Sequence, residues 1–307
     1  MKNILVIKLG ALGDVVLSIG TFFKIREQHP EARITLLTMP AFVEMTKQCG
    51  VFDEIITDTR PSSWRIDLLW SCVKRIANKR FDLIYDMQNV KRTEFRYYNL
   101  LRLLSPISFA WVSKRKFIKN VEKKHPWGRG KETCAPFSFP YALSDLTFLR
   151  GPETYFSELP ARFILFIPGC SPKHPEKRWP TENYIALAKL INHQHISVVV
   201  MGTKDEESVV SAIAKASPDV INFLNKTTLL DIPQLATKAL AVVGNDTGPT
   251  HISSLSGALT IGLYPYRTRK SVLTGNRAIS IVSPDTIDQI TVGQVWEKLK
   301  DDVNISH

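Results

Sequence analysis

Three short stretches of the chain concentrate residues able to do chemistry. The first is Lys8-Leu9-Gly10-Ala11-Leu12-Gly13-Asp14-Val15. Gly10 and Gly13 permit a tight strand-to-helix turn and a close backbone approach by a ligand. Asp14 opens the helix that follows, where a carboxylate either caps the helix or accepts a proton, and capping is the commoner role at such a place. The turn has neither the third glycine of a dinucleotide fingerprint nor the Gly-Lys-Ser/Thr of a P-loop. The second stretch is the loop Pro168-Gly169-Cys170-Ser171-Pro172-Lys173-His174-Pro175-Glu176-Lys177-Arg178-Trp179-Pro180. Either Lys177 or Arg178 suits the neutralisation of a diphosphate, while Trp179-Pro180 alone would make a surface loop that staples the next helix. The third is Gly244-Asn245-Asp246-Thr247-Gly248-Pro249-Thr250-His251. Pro249 fits a first helical turn, and the amides of Thr247, Gly248 and Thr250 at the positive end of that helix would cradle a phosphate. His251 lies in the same turn. A purely structural use exists for each residue separately, with Asp246 capping and His251 packed, but less readily for all of them at one junction.

These stretches need strands that end and helices that begin at the right places. Apolar runs without polar alternation occur at 4–7, 34–37, 54–56, 83–85 and 109–112, with helical patterns at 15–27, 41–50, 64–77 and 93–104. A second series of runs follows at 163–167, 197–201, 221–224, 240–243, 259–263 and 279–282, with helices at 181–192, 205–215 and 292–299. Such runs predict parallel sheets buried on both faces by helices, a doubly wound α/β class. Periodicity lapses between 113 and 141, where basic residues, prolines and glycines predict a long functional or mobile loop. The joint between the two α/β halves is expected near 150–162.

Composition narrows the partners. Of 307 residues, 44% are hydrophobic and 22% charged, which excludes disordered and collagen-like chains. The net charge of +11 is lopsided. Residues 1–150 hold 25 Lys/Arg against 14 Asp/Glu, residues 151–307 hold 15 of each, and residues 91–131 hold 12 basic against 2 acidic. A field of one sign attracts nucleic acid, an anionic membrane or an acidic substrate. Four dispersed cysteines without zinc or disulfide spacing point to a reducing compartment. No signal peptide and no apolar run of transmembrane length is read, so a cytoplasmic protein is expected.

The three motifs, in this order and spacing, resemble glycosyltransferase family 9, the ADP-heptose:lipopolysaccharide heptosyltransferases. Resemblance implies the GT-B architecture, two Rossmann-like domains facing across a cleft. The expected division is 1–155 for the acceptor domain and 162–284 for the nucleotide-sugar domain, with 285–307 a candidate for packing back on the first. It also implies an inverting transfer of heptose from ADP-heptose to an inner-core sugar of lipopolysaccharide. In that reading Asp14 is the general base rather than a cap, and Lys177 stabilises the departing ADP. Asp246, Thr247, Gly248, His251, Ser171 and Lys8 line the donor site, and Gly10 and Gly13 shape the turn. No Asp-x-Asp is present, so neither metal nor cofactor is expected. One departure stands out. After the strand at 259–263 the family continues through a Gly-Pro loop, whereas here Tyr264-Pro265-Tyr266-Arg267-Thr268-Arg269-Lys270 follows.

The basic first half thereby acquires an anionic glycolipid as its expected partner, and nucleic acid drops out. Lys114, Arg115, Lys116, Lys123 and Lys124 are the candidates for engaging acceptor or membrane, which implies a peripheral position at the cytosolic face of the inner membrane. Alternatives are a GT-B enzyme using another nucleotide-sugar, for transfer or epimerisation, and a non-catalytic GT-B-fold anion-binding protein. A nicotinamide or flavin oxidoreductase lacks its glycine turn here.

Overall fold

The computed structural model describes residues 1–60, 66–88, 90–104, 109–113, 142–152, 157 and 159–303. The candidate acceptor or membrane residues Lys114, Arg115, Lys116, Lys123 and Lys124 lie outside them, as does the rest of the basic loop expected between 113 and 141. The chain divides into two units, Met1–Ser144 and Asp145–His307.

The N-terminal unit holds five parallel strands, β1 (Asn3–Ile7), β2 (Arg33–Thr38), β3 (Glu54–Thr57), β4 (Leu83–Asp86) and β5 (Ala110–Ser113), in the order β3-β2-β1-β4-β5. This is the order of a doubly wound nucleotide-binding half, whose topology reverses between β1 and β4. Ile4–Ile7 are fully buried, as expected where helices cover both faces. The helices are α1 (Leu12–Val16), α2 (Ile19–Gln28), α3 (Val43–Gln48), α4 (Ile66–Ala77), α5 (Lys91–Thr93) and α6 (Leu100–Leu104). A π-helical turn, Glu94–Asn99, joins the last two. The single helix expected over 15–27 is two. The ladder tightens at the junction, where the Ser18 amide donates to the Val15 carbonyl three residues back at 2.9 Å and its hydroxyl to the Asp14 carbonyl at 2.6 Å.

The C-terminal unit repeats the scheme with six parallel strands: β6 (Phe163–Ile167), β7 (Ser197–Gly202), β8 (Val220–Leu224), β9 (Ala241–Asn245), β10 (Thr260–Tyr264) and β11 (Ala278–Val282). Their order, β11-β10-β9-β6-β7-β8, reverses between β6 and β9. Around them lie α7 (Thr181–Asn192), α8 (Glu207–Lys215), α9 (Ile232–Lys238), α10 (Gly248–Leu255) and α11 (Val292–Val303). Among the described residues no helix is long and apolar enough to cross a membrane.

The division falls after Ser144, ahead of the joint expected near 150–162, because the chain just beyond it is bonded into the second unit. Leu146 and Leu149 are fully buried, the Leu146 amide donates to the Leu255 carbonyl at 3.0 Å, and the Gly151 amide donates to Gln234 Oε1 at 3.2 Å. The last helix buries an apolar stripe in the core of the second unit. Val295 and Leu299 of α11 are fully buried in one cluster with Ile164, Leu187 and Ile191. Truncating Leu299 to Ala should therefore cost about 2–5 kcal/mol of the C-terminal unit's stability. A thermal melt indistinguishable from the parent's would show that α11 is not part of that core.

Candidate active site

In an open parallel sheet, ligands bind beyond the carboxyl ends of the strands where the order reverses. In the C-terminal unit that place lies between β6 and β9, and both motifs of this half emerge there. The Pro168–Pro180 loop leaves β6 and Asp246 leaves β9.

A buried amide joins the two. Asn245, fully buried, donates from Nδ2 to the Pro168 carbonyl at 2.7 Å. Its Oδ1 accepts from the Trp179 amide at 3.2 Å and from the Tyr184 hydroxyl at 3.1 Å. Both ends of the loop are thus pinned to the end of β9 and to α7. Trp179 locks the exit further, donating from Nε1 to the Ile290 carbonyl at 2.7 Å and packing edge-on against Tyr184 with ring centroids 4.9 Å apart. Within the loop, the 3₁₀ turn Pro175–Lys177 sends consecutive cations in different directions. Arg178 turns inward and donates to the Cys170 carbonyl at 3.1 Å, so its charge braces the loop. Lys177 faces the ligand edge.

Lys177 Nζ lies 2.8 Å from Asp246 Oδ2, and His251 Nε2 lies 3.6 Å from Asp246 Oδ1, an electrostatic contact longer than a hydrogen bond. Burial of Asp246 works against its charge, but the His251 and Lys177 side chains outweigh burial and hold the carboxyl below its ordinary range. Thr247 is the extended N-cap of α10 and its side chain makes no capping bond, while Pro249 sits in the first turn. The His251 amide returns to the Thr247 carbonyl at 3.2 Å. Gly248 and Thr250 present the amides that the first turn of any helix leaves unbonded. Gly244 lets the turn come this close: a Cβ there would stand 2.5 Å from Thr250 Oγ1. A carboxylate, an ammonium, an imidazole and a helix N-terminus thus converge on one spot, an arrangement suited to holding a diphosphate. Ser171 is exposed in the same loop, its carbonyl accepting from the His174 amide at 2.9 Å.

In the N-terminal unit the glycine turn follows β1. Gly10 adopts φ 131°, which strains any residue with a Cβ, and a Cβ there would lie 3.3 Å from Phe42 Cε2. Gly13 is the second residue of α1. Asp14 is half-buried in the first turn of α1, but Ala11 occupies the cap position, so Asp14 is not the N-cap that its place in the sequence suggests. Its charge is favourable at that helix end. Lys8 is buried, with Nζ donating to the Met87 carbonyl at 3.2 Å where β4 ends. Leu9's amide donates to Gln88 Oε1 at 2.9 Å. Lys8, Gly10, Gly13 and Asp14 thus share the carboxyl edge of the first sheet, while Lys177, Asp246, Thr247, Gly248 and His251 share that of the second. Among the described residues no three His, Cys, Asp or Glu side chains gather as metal ligands do.

Residues 133–293, which carry the second edge in full, match the family described as Glycosyltransferase family 9 (heptosyltransferase). The chain belongs to glycosyltransferase family 9. It is a glycosyltransferase, and its two α/β units are those of the GT-B class. The lipopolysaccharide core heptosyltransferase OpsX of Haemophilus influenzae is 22% identical over 300 residues, covering 92% of this chain and 84% of that protein. In fold the chain is similar to the ADP-heptose lipopolysaccharide heptosyltransferase II of E. coli (TM-score 0.76, 20% identity, 99% of both chains). It is also similar to a family 9 glycosyl transferase of Veillonella parvula (TM-score 0.79, 18% identity, 99% of this chain and 98% of that one).

The structure of this family 9 enzyme adds two residues that the motifs do not single out. Asn245 supports the site rather than lining it; an asparagine ending a buried strand next to a charged turn is the one signal the sequence offers. Glu206 closes the end of β7, accepting from the Thr203 amide at 2.9 Å and hydroxyl at 2.7 Å. Gly169 and Gly202 leave room for it: a Cβ on either would come within 2.7 Å or 3.0 Å of Glu206 carbons.

Two outcomes follow. Asn245→Leu should destabilise the C-terminal unit by at least about 3 kcal/mol, since it leaves the Pro168 carbonyl, the Trp179 amide and the Tyr184 hydroxyl unpaired, as chemical denaturation would show. For Asp246, a folded pKa held below the unfolded one adds stability above the unfolded value, and that stability is lost as pH falls through the folded value. The stability difference between the parent and Asp246→Asn should therefore shrink as the pH falls below about 4.

Proposed function

We propose that this glycosyltransferase moves a heptose from ADP-heptose to an inner-core sugar hydroxyl of lipopolysaccharide with inversion at the anomeric carbon. The convergence of Lys177, Asp246 and His251 on the amide end of α10 carries the donor half of the reading. It offers a diphosphate one mobile cation and fixed backbone donors, while Asp246 repels a second anion from the wrong side. The ADP-heptose lipopolysaccharide and OpsX relatives named above support heptose as the transferred sugar and the lipopolysaccharide core as the acceptor.

In this mechanism the donor diphosphate draws the Lys177 ammonium away from Asp246. Lys177 and the Gly248 and Thr250 amides then stabilise the charge that grows on ADP as the glycosidic bond breaks. Thr247 and His251 flank the phosphates, Ser171 borders them from the loop, and Asp246 turns toward the sugar. The Asp14 carboxylate takes the proton of the acceptor hydroxyl as its oxygen attacks the anomeric carbon from the face opposite ADP. Lys8, tied to Met87, holds the turn that presents Asp14. All the charge needed to release ADP comes from protein groups, without a metal or cofactor. The acceptor is anionic and membrane-borne, and the excess of basic residues in 1–150 supports its capture by a cytoplasmic enzyme lying at the inner-membrane surface.

Asp14→Asn should lower kcat by about 10²–10⁴-fold while leaving the Kd for ADP unchanged. Lys177→Ala should instead weaken ADP binding by about 10–100-fold. Turnover of ADP-heptose on a truncated lipopolysaccharide acceptor, combined with calorimetric titration of ADP, reads both. A parent enzyme that binds a uridine or guanosine diphosphate sugar but not ADP would overturn the donor assignment.

A further inference from the structure

The segment Tyr264–Lys270, where the sequence departs from its family, is left unused by this mechanism. It continues from β10, the strand next to β9, and Leu263 is in register with Asn245. Since the strands are parallel, the segment emerges at the same sheet edge as Asp246, one strand spacing (about 4.8 Å) away. It is firmly built. Residues Tyr266–Ser271 form a 3₁₀ turn, the Thr268 amide donates to the Pro265 carbonyl at 2.9 Å, and the Tyr266 amide donates to the Asp285 carbonyl at 3.0 Å.

The turn displays two guanidinium groups. The Arg269 guanidinium sits over the Tyr266 ring, 3.8 Å from its centroid, and donates to the Tyr266 carbonyl at 3.0 Å. Stacking and hydrogen bonding together fix its direction, so little rotamer freedom remains to be lost when a ligand binds. Arg267 is exposed on the same turn. Its charge is felt by Glu176 of the Lys177 loop, which places the turn near that loop. Glu176 is already engaged, however, with His174 Nδ1 at 3.1 Å. Among the described residues no ion pair neutralises Arg267 or Arg269. Two arginines displayed on one turn repel one another, and an arriving anion relieves that repulsion. The planar fork of each matches phosphate oxygens.

We propose that Arg267 and Arg269 form a second anion subsite, beside the α10 cradle, that takes a phosphate group of a substrate. The proposal rests on the reading of α10 as a diphosphate cradle and adds to it a distinct pair of residues. The phosphate comes either from the donor's diphosphate or from a phosphorylated acceptor sugar, and one double variant separates the two. Arg267→Gln/Arg269→Gln changes exposed side chains only, and an unchanged thermal melt verifies its fold. Titration with ADP and with inorganic pyrophosphate reads the donor source. Steady-state KM for a phosphorylated core acceptor, against the same acceptor treated with phosphatase, reads the other. About a tenfold loss is expected in one arm: in ADP and pyrophosphate affinity, or in KM for the phosphorylated acceptor alone. Arg267→Lys/Arg269→Lys, which keeps the charge but not the fork, should recover part of it. Values within about twofold of the parent in both arms overturn the proposal. A parent enzyme that binds pyrophosphate but not ADP would instead overturn the donor reading and leave the arginine pair tested by the pyrophosphate arm.

Discussion

The buried side chain of Asn245 is the constraint on which the second sheet's ligand edge depends. One amide group joins the end of β9 to both ends of a thirteen-residue loop, using a donor and an acceptor that water cannot reach. Breaking the amide would strand three partner groups in the interior, and the desolvation of each makes the arrangement nearly all-or-none. Because the loop is anchored at Pro168 and Trp179, the residues between can carry exposed charge without unravelling. The next residue along β9 is Asp246, so the anchor and the site share a backbone.

A second constraint is steric. Gly244 sits where a single methyl group would collide with Thr250 Oγ1, and Gly10 holds a positive φ that a side chain would strain. The two units solve the same problem with the same strand order, a reversal flanked by a glycine-bearing connection and a short helix whose first turn faces the edge. They differ in what the edge carries. The first presents a carboxylate outside the cap position, and the second presents a carboxylate balanced by an ammonium and an imidazole.

Much of the fold is legible in the residues. β6 and α7 begin and end where their apolar pattern says, since Phe163–Ile167 is an unbroken buried run and Pro180 sets the first turn of α7. Other features are not legible, for reasons of geometry. Spacing could not say which of Lys177 and Arg178 faces a ligand, because the choice belongs to a three-residue 3₁₀ turn that rotates them apart. The break between α1 and α2 is a local tightening at Ser18 in a sequence whose hydrophobic period runs straight through it. α9 escaped because seven residues with Pro233 in the first turn give too short a period to read. The cap at Ala11 rather than Asp14 depends on the backbone angles at Gly10, which no propensity encodes. That α11 buries Val295 and Leu299 beside Ile164, Leu187 and Ile191 is not legible either, because an amphipathic stripe does not name the surface it will cover.

The contact between Lys177 and Asp246 has a consequence for selectivity among the small anions of a cell. Because the Lys177 ammonium is paired internally, any anion approaching it competes with the Asp246 carboxylate. A lone chloride or orthophosphate offers one centre of charge and replaces one contact with a similar one. A ligand with two linked phosphate groups engages the ammonium and the α10 amides at once, and gains from their fixed spacing. On the proposed reading, the internal pair would act as a built-in competitive inhibitor, one that discounts abundant single-centre anions and yields to a linked pair.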